Sequence, residues 1–326
     1  MITPRLLRRS LRRGLQWRLL LLWWASLLVP SSLVALPAFA FFREKLDHST
    51  GAAWNVASLE GSTLIELLRQ LRQPGPSLAL GWGAASAVVC LLAVSPFVAG
   101  ATVAAARSDG SLRLGALMAG GGELYGRMLR TLLAGLVPIG LGSAAAAGIG
   151  KVAARASERA TTETAAQRNL VVASVCAAAV LFVVHLVVEA ARAQFAADPG
   201  RRSAVLALWS GARLLLRRPA RAFAVGAVGA LAGVGGALIL MTLRLQLVQS
   251  GATSIALAWL LAQAAQVAVG WGRATRIFGL AELSRADAAA RAGTGPRVAP
   301  GVSPGVQVVH SATLSALEPP RSGASR

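Results

Sequence analysis

The chain has 326 residues, of which 55% are hydrophobic and only 14% charged, with a mean hydropathy of +0.59. Soluble domains carry about 25% charged residues, so this polar fraction is too small to cover a water-soluble fold. The net charge of +20 does not mark a nucleic-acid-binding domain, because the arginines lie between apolar runs rather than in one soluble basic region.

Residues 1–18 form a basic segment with Arg5, Arg8, Arg9, Arg12, Arg13 and Arg18 ahead of the first apolar run. A bilayer takes about 20 residues of helix to cross. Six runs reach that length, near 19–42, 78–106, 128–150, 169–191, 221–245 and 252–272. The alternating ten-residue segments of a β-barrel are missing. The first run ends in "ALPAFA" and resembles a signal peptide with a cleavage site at Ala38–Ala40. It outlasts the roughly 7–15 residues of a signal core, which predicts a retained span. Cleavage would leave five spans and an outer N-terminus.

In the first outer segment, "STLIELLRQLRQPGP" carries a possible capping box at Thr63 and Glu66. An apolar stripe of Leu64, Leu67, Leu68 and Leu71 beside it predicts a short interfacial helix. A weak elbow, "DGSLRLGALMAGGGELYGRMLR" (109–130), follows the second span. After the fourth span, "DPGRRSAVLALWSGARLLLRRPARAF" predicts a basic amphipathic helix, capped by Asp198, opened by Pro199 and stopped by Pro219. Val205, Leu208, Trp209, Ala212, Leu215 and Leu216 form its apolar side, opposed by Ser203, Ser210, Arg213 and Arg217. Arg202, Arg213, Arg217 and Arg218 are the expected contacts to anionic lipid headgroups. Asp109 and Asp198 lie 89 residues apart with spans aligned at the same offset, the pattern of a duplicated span–elbow–span unit.

Residues 273–292 predict a further amphipathic helix beyond the membrane domain of 19–272. Residues 293–326, rich in Pro, Gly, Ser and Ala, predict a disordered tail. The fold class is thus all-α, a polytopic transmembrane bundle of six spans with amphipathic interfacial elbow helices.

Polar residues inside the spans are the candidate site. In "VVHLVVEAARAQF" (183–195), His185, Glu189 and Arg192 fall at i, i+4 and i+7 and share one helix face. The structural reading pairs Glu189 with Arg192 at i+3 while Arg192 reaches the headgroups. The functional reading makes the imidazole and carboxylate a proton relay. The structural reading is preferred. A metal site lacks further ligands: His48 and His310 fall in the outer loop and the tail, and Cys90 and Cys176 read as small apolar fillers. Gln263 and Gln266 in the sixth span either bond between helices or line a polar cavity with His185. Gly229 and Gly233 form G-x-x-x-G, suited to close packing within the bundle or across a homodimer. Pro30, Pro37, Pro96 and Pro138 fall within spans as expected kinks. No cofactor is implied, and the phosphate-loop, serine-hydrolase and zinc-protease motifs are missing.

The positive-inside rule sets the orientation. With the N-terminus in the cytoplasm, 24 of the 33 basic residues fall inside, while acidic residues divide almost evenly. Both termini are therefore expected in the cytoplasm.

"WRLLLLWWASLLVPSSLVALP" (17–37), "EAAR" (189–192) and "RRSAVLALWSGARLLLRRPARAF" (201–223) carry a resemblance. With them, residues 15–290 resemble a group of uncharacterised six-span bacterial inner-membrane proteins akin to the membrane domain of glycerophosphodiester phosphodiesterases. The resemblance implies a multi-pass inner-membrane protein. It implies no lipid hydrolysis, because this chain lacks the phosphodiesterase catalytic domain. The expected role is a non-enzymatic envelope scaffold, accessory subunit with a membrane-protein partner, or lipid-associated factor. The alternative is a small permease with a polar site around His185, Glu189, Gln263 and Gln266.

Overall fold

The computed structural model describes residues 4–47, 74–247 and 251–293. The expectations for the outer-loop helix, His48, His310 and the tail beyond residue 293 lie outside those residues. Residues 1–287 form one compact unit, and 288–326 a second, of which only the end of the last helix is described.

The described chain is all-α. Its helices are α1 (Pro4–Gly14), α2 (Trp17–Asp47), α3 (Pro74–Arg107), α4 (Leu114–Glu158), α5 (Glu163–Ala197), α6 (Ala204–Arg217), α7 (Pro219–Leu245) and α8 (Ala252–Gly293). Helices α2, α3, α4, α5, α7 and α8 are long and apolar enough to cross a membrane. Large apolar side chains such as Val137, Leu141, Val172 and Leu238 point outward along them. Lipid tails are as apolar as these side chains, so nothing drives the residues inward.

Two of the expected elbows are not separate helices. The segment after the second span is a short link, Ser108–Arg113, from which α4 runs unbroken into the third span. The segment 273–292 likewise continues the last span as one helix of 42 residues, α8. The difference from α6 is chemical. Pro219 lacks an N–H and clashes with the carbonyl four residues back, so α6 must end before it and α7 starts on it. At the offset of 89 residues the matching position holds Arg130, which a helix accepts. The two halves therefore differ where the repeat pattern would make them alike.

Helix α6 covers the later part of the expected segment, opening at Ala204 and not at Pro199, with its cap displaced. Ser203, not Asp198, accepts the hydrogen bond from Leu206 N, at 3.3 Å. Its small residues Ala204, Ala207 and Gly211, with Leu214 and Leu215, are buried, while Val205, Trp209 and Leu216 are exposed. Any side chain at Gly211 would meet the backbone of Ala190 and Ala191 on α5. Small residues therefore carry the close contact with α5, while Val205, Trp209 and Leu216 are left on the outer side.

The packed core lies at one end of the spans. Val98–Ala106 of α3, Leu186–Ala196 of α5 and Ala274–Leu283 of α8 supply most of the fully buried side chains, with Leu117, Leu124 and Met128 of α4. The same end carries most of the described arginines. Arg107 donates from Nε and Nη2 to Phe195 O at 3.1 and 2.9 Å. Arg285 Nη2 donates to Ala106 O and Ala196 O at 2.8 and 2.9 Å. These cations sit on the closing carbonyls of α3 and α5, the negative end of each helix dipole. Arg13 and Arg9 of α1 reach Glu282 at 3.5 Å, and Arg217 and Arg218 reach Asp287 at 3.8 and 3.3 Å.

Helices α7 and α8 cross on glycine. A side chain at Gly272 would strike Gly229 O and lie 2.6 Å from Gly233 Cα, and one at Gly233 would lie 3.0 Å from Gly272 Cα. A π-turn, Leu231–Gly235, spans the crossing. The G-x-x-x-G pair thus packs within the chain. We predict that Gly272→Ala lowers stability in detergent by roughly 1–3 kcal/mol, as overpacking does. Gly148→Ala, whose added methyl meets nothing within 4 Å, should be neutral or mildly stabilising. Paired thermal melts of the two variants check this.

Candidate functional site

A cavity of about 490 Å³ lies among α2, α3, α4, α5 and α8. Such a volume falls in the range of roughly 300–1,000 Å³ typical of small-molecule sites. Its walls come from Val88, Leu91 and Leu92 of α3, Leu27 of α2 and Ile139 of α4, among other apolar side chains. Its polar lining consists of Ser95, His185, Glu189, Arg192 and Arg273, with the indole of Trp23.

The polarity is graded along the helix axes. On α3 the lining runs from Val88 to Ala99, about 16 Å at 1.5 Å per residue, toward the basic end. The residues farthest from that end are aliphatic. Glu189, Arg192 and Arg273 lie toward it, within the last turns of α5 and just past the glycine crossing of α8, with Ile277 one turn farther on. His185 sits between these zones. Its Nδ1 lies 2.8 Å from Leu181 O one turn back. A carbonyl only accepts, so Nδ1 carries the proton and Nε2 is the ring's open position.

The charge pairing differs from the i+3 expectation. Glu189 is held by Arg276 of α8, not by Arg192 on its own helix. Arg276 Nη2 donates to Glu189 Oε1 at 2.8 Å, and Nε lies 2.5 Å from Oε2. Both side chains are largely buried, at 9% and 15% exposure. The reason is geometric. Gly229 and Gly272 bring α7 and α8 into backbone contact, and any side chain at Gly229 would strike the Arg276 stem. That contact closes the space beside Arg276 and leaves its head to reach α5.

With Glu189 taken, Arg192 and Arg273 have no carboxylate within ion-pairing distance among the described residues. Arg192 Nε is buried without a hydrogen-bond partner. Arg273 lies over Trp23, 5.7 Å from the ring centroid, a cation–π contact. The indole Nε1 of Trp23, itself 6% exposed, is also buried without a partner. Arg192 and Arg273 thus line the cavity together with Glu189, while Arg276, which holds that carboxylate, is not part of the lining.

The two glutamines are not part of this cavity. Gln263 accepts a hydrogen bond from Trp24 Nε1 at 2.8 Å and lines a separate apolar groove with Trp17, Trp24 and Trp259. Gln266 Oε1 is buried without a partner. Cys90 is half-buried and Cys176 exposed, both as free thiols. Among the described residues, no three His, Cys, Asp or Glu side chains converge as a metal site would need. Of the elbow arginines, Arg202 and Arg213 are exposed, whereas Arg217 and Arg218 face Asp287.

Sequence reasoning missed Arg273, Arg276 and Trp23. A signal was present: Arg273 and Arg276 follow Gly272 at i+1 and i+4, so they leave the helix just beyond its tightest crossing.

Removing one partner of a buried ion pair costs about 3–5 kcal/mol, because the other charge is left uncompensated. We predict that Arg276→Gln or Glu189→Gln lowers detergent stability on that scale and that the double variant recovers part of the loss. Arg192→Gln should be close to neutral. Equal losses for Arg192→Gln and Arg276→Gln in thermal melts would restore the i+3 pair.

Comparison with known proteins found no family model, no curated protein and no solved structure that matches this chain.

Proposed function

We propose that the chain is a multi-pass protein of a bacterial cytoplasmic (inner) membrane, with both termini in the cytoplasm. On this reading it acts without catalysis, as a lipid-associated factor or envelope scaffold. The supporting observation is the gathering of the buried core and most of the described arginines at one end of the spans. Cations there meet the anionic surface of the inner leaflet, worth about 1 kcal/mol per residue near the surface. A basic cleft of about 480 Å³, lined by Arg8, Arg9, Arg12 and Arg13 of α1 with Asp109, opens at the same end. Exposed Trp209 and Leu216 on α6, beside Arg213, suit an interfacial depth. The likeness of residues 17–37, 189–192 and 201–223 to six-span inner-membrane proteins supports the same placement.

Two observations weigh against the other roles. Glu189 is held by Arg276 and is not free to serve as a general base. The permease reading expects a polar cavity joining the fourth and sixth spans; such a cavity is present with His185 and Glu189 in its lining, but Gln263, bonded to Trp24, and Gln266 are not part of it.

Sidedness is tested by single cysteines in a background lacking Cys90 and Cys176. Ser111→Cys and Ser203→Cys should resist a membrane-impermeant maleimide in intact cells and react in inverted vesicles. Thr161→Cys should do the reverse. The opposite pattern would place the termini outside.

A further inference from the structure

We propose that the cavity among α2, α3, α4, α5 and α8 binds one anionic amphiphile. Its chain lies along Val88, Leu91, Leu92 and Ile139, and its phosphate or carboxylate is held by Arg192, Arg273 and the Trp23 indole. The proposal deepens the lipid-associated reading by naming the ligand class and the site. It rests on the chain spanning a membrane and not on which side the termini face.

Three features carry it. The first is the direction of polarity: aliphatic walls along the middle of the spans, where Val88, Leu91 and Leu92 remain exposed, and cations where the spans approach the basic end. An amphiphile is graded the same way. The second is charge. Arg192 and Arg273 line the cavity with one carboxylate, Glu189, which Arg276 already holds. A site in low-dielectric surroundings with two cations in excess is complemented by a mobile anion. The third is donor count. Arg192 Nε and Trp23 Nε1 are both buried without an acceptor among the described residues, a costly state that an oxyanion relieves once these lining side chains turn toward it. Arg273, exposed and stacked on Trp23, can swing toward such a headgroup while keeping its ring contact.

The chemistry also says what is rejected. A zwitterionic headgroup brings its own cation beside Arg192 and Arg273 and loses the charge advantage. A free inorganic anion gains the guanidinium contacts but leaves the apolar wall uncovered. Affinity for the amphiphile should therefore exceed that for phosphate alone.

The test uses the full chain, delipidated in an uncharged detergent and titrated with dioleoyl phosphatidic acid. Dioleoyl phosphatidylcholine and inorganic phosphate serve as the comparison ligands. Native mass spectrometry reads stoichiometry, and thermal melts read affinity. We expect one phosphatidic acid per chain, with little binding of phosphatidylcholine. Arg192→Gln and Arg273→Gln should each weaken binding by about tenfold or more, the weight of one charge-assisted hydrogen bond, while Arg192→Lys keeps part of it. Ser95→Trp should block the chain space with the charges intact. If that variant does not fold, the arginine variants decide. Equal binding of the two lipids, or unchanged affinity in the Arg192→Gln/Arg273→Gln double variant, would overturn the proposal. Displacement of the lipid by millimolar phosphate alone would also overturn it, by marking a free-anion site. None of these outcomes depends on the cysteine-labelling pattern, so a failed site and a failed orientation are told apart.

Discussion

The buried contact between Glu189 and Arg276 organises the rest of the site. It ties α5 to α8 at the level where the spans leave their lipid-like zone for the packed end of the bundle. A lone carboxylate at that depth would be costly, and a lone guanidinium equally so. Once they are paired, Arg192 and Arg273 have no carboxylate partner among the described residues, and the cavity end takes a positive character. The glycine crossing of α7 on α8 is the precondition, since it holds the Arg276 stem in place.

The placement of the core follows from the two solvents a membrane protein meets. Along the middle of the spans, apolar side chains have no reason to leave lipid, so outward valines and leucines abound and interior contacts rely on small residues. Where the same helices run on toward water, the hydrophobic effect returns. Ile277, Phe278 and Leu280 of α8 are there fully buried against α3 and α5, and arginines close the exposed carbonyl ends. The long unbroken α8 is thus a lipid-facing span for one half of its length and a core helix for the other.

The six spans could be read from the sequence because length and apolar content alone decide which helices can cross a bilayer. The α6 elbow was legible for a related reason: Pro219 marks its end chemically, whatever surrounds it. Its buried face was not, because periodicity ranks residues by apolarity, whereas α5 comes so close that Gly211 has no room for a side chain. The fusion of the 109–130 and 273–292 segments to their neighbouring spans was hidden because nothing in an amphipathic pattern marks a break that no proline enforces. The site was half legible. His185, Glu189 and Arg192 stood out as polar residues in one apolar helix. Their partner Arg276 lies 87 residues away, and local spacing carries no information about a contact of that range. An i+3 neighbour of opposite charge was the nearest available partner on paper, and a tertiary contact displaced it.

Native mass spectrometry of the protein extracted gently from its own membranes probes whether the cationic, apolar-walled site beside the Glu189–Arg276 pair is filled in a native membrane. A single anionic lipid or fatty acid should be retained in one-to-one ratio, surviving collisional activation that strips annular lipid. A bare chain, or a graded series of mixed lipids lost together at low energy, would contradict that occupancy.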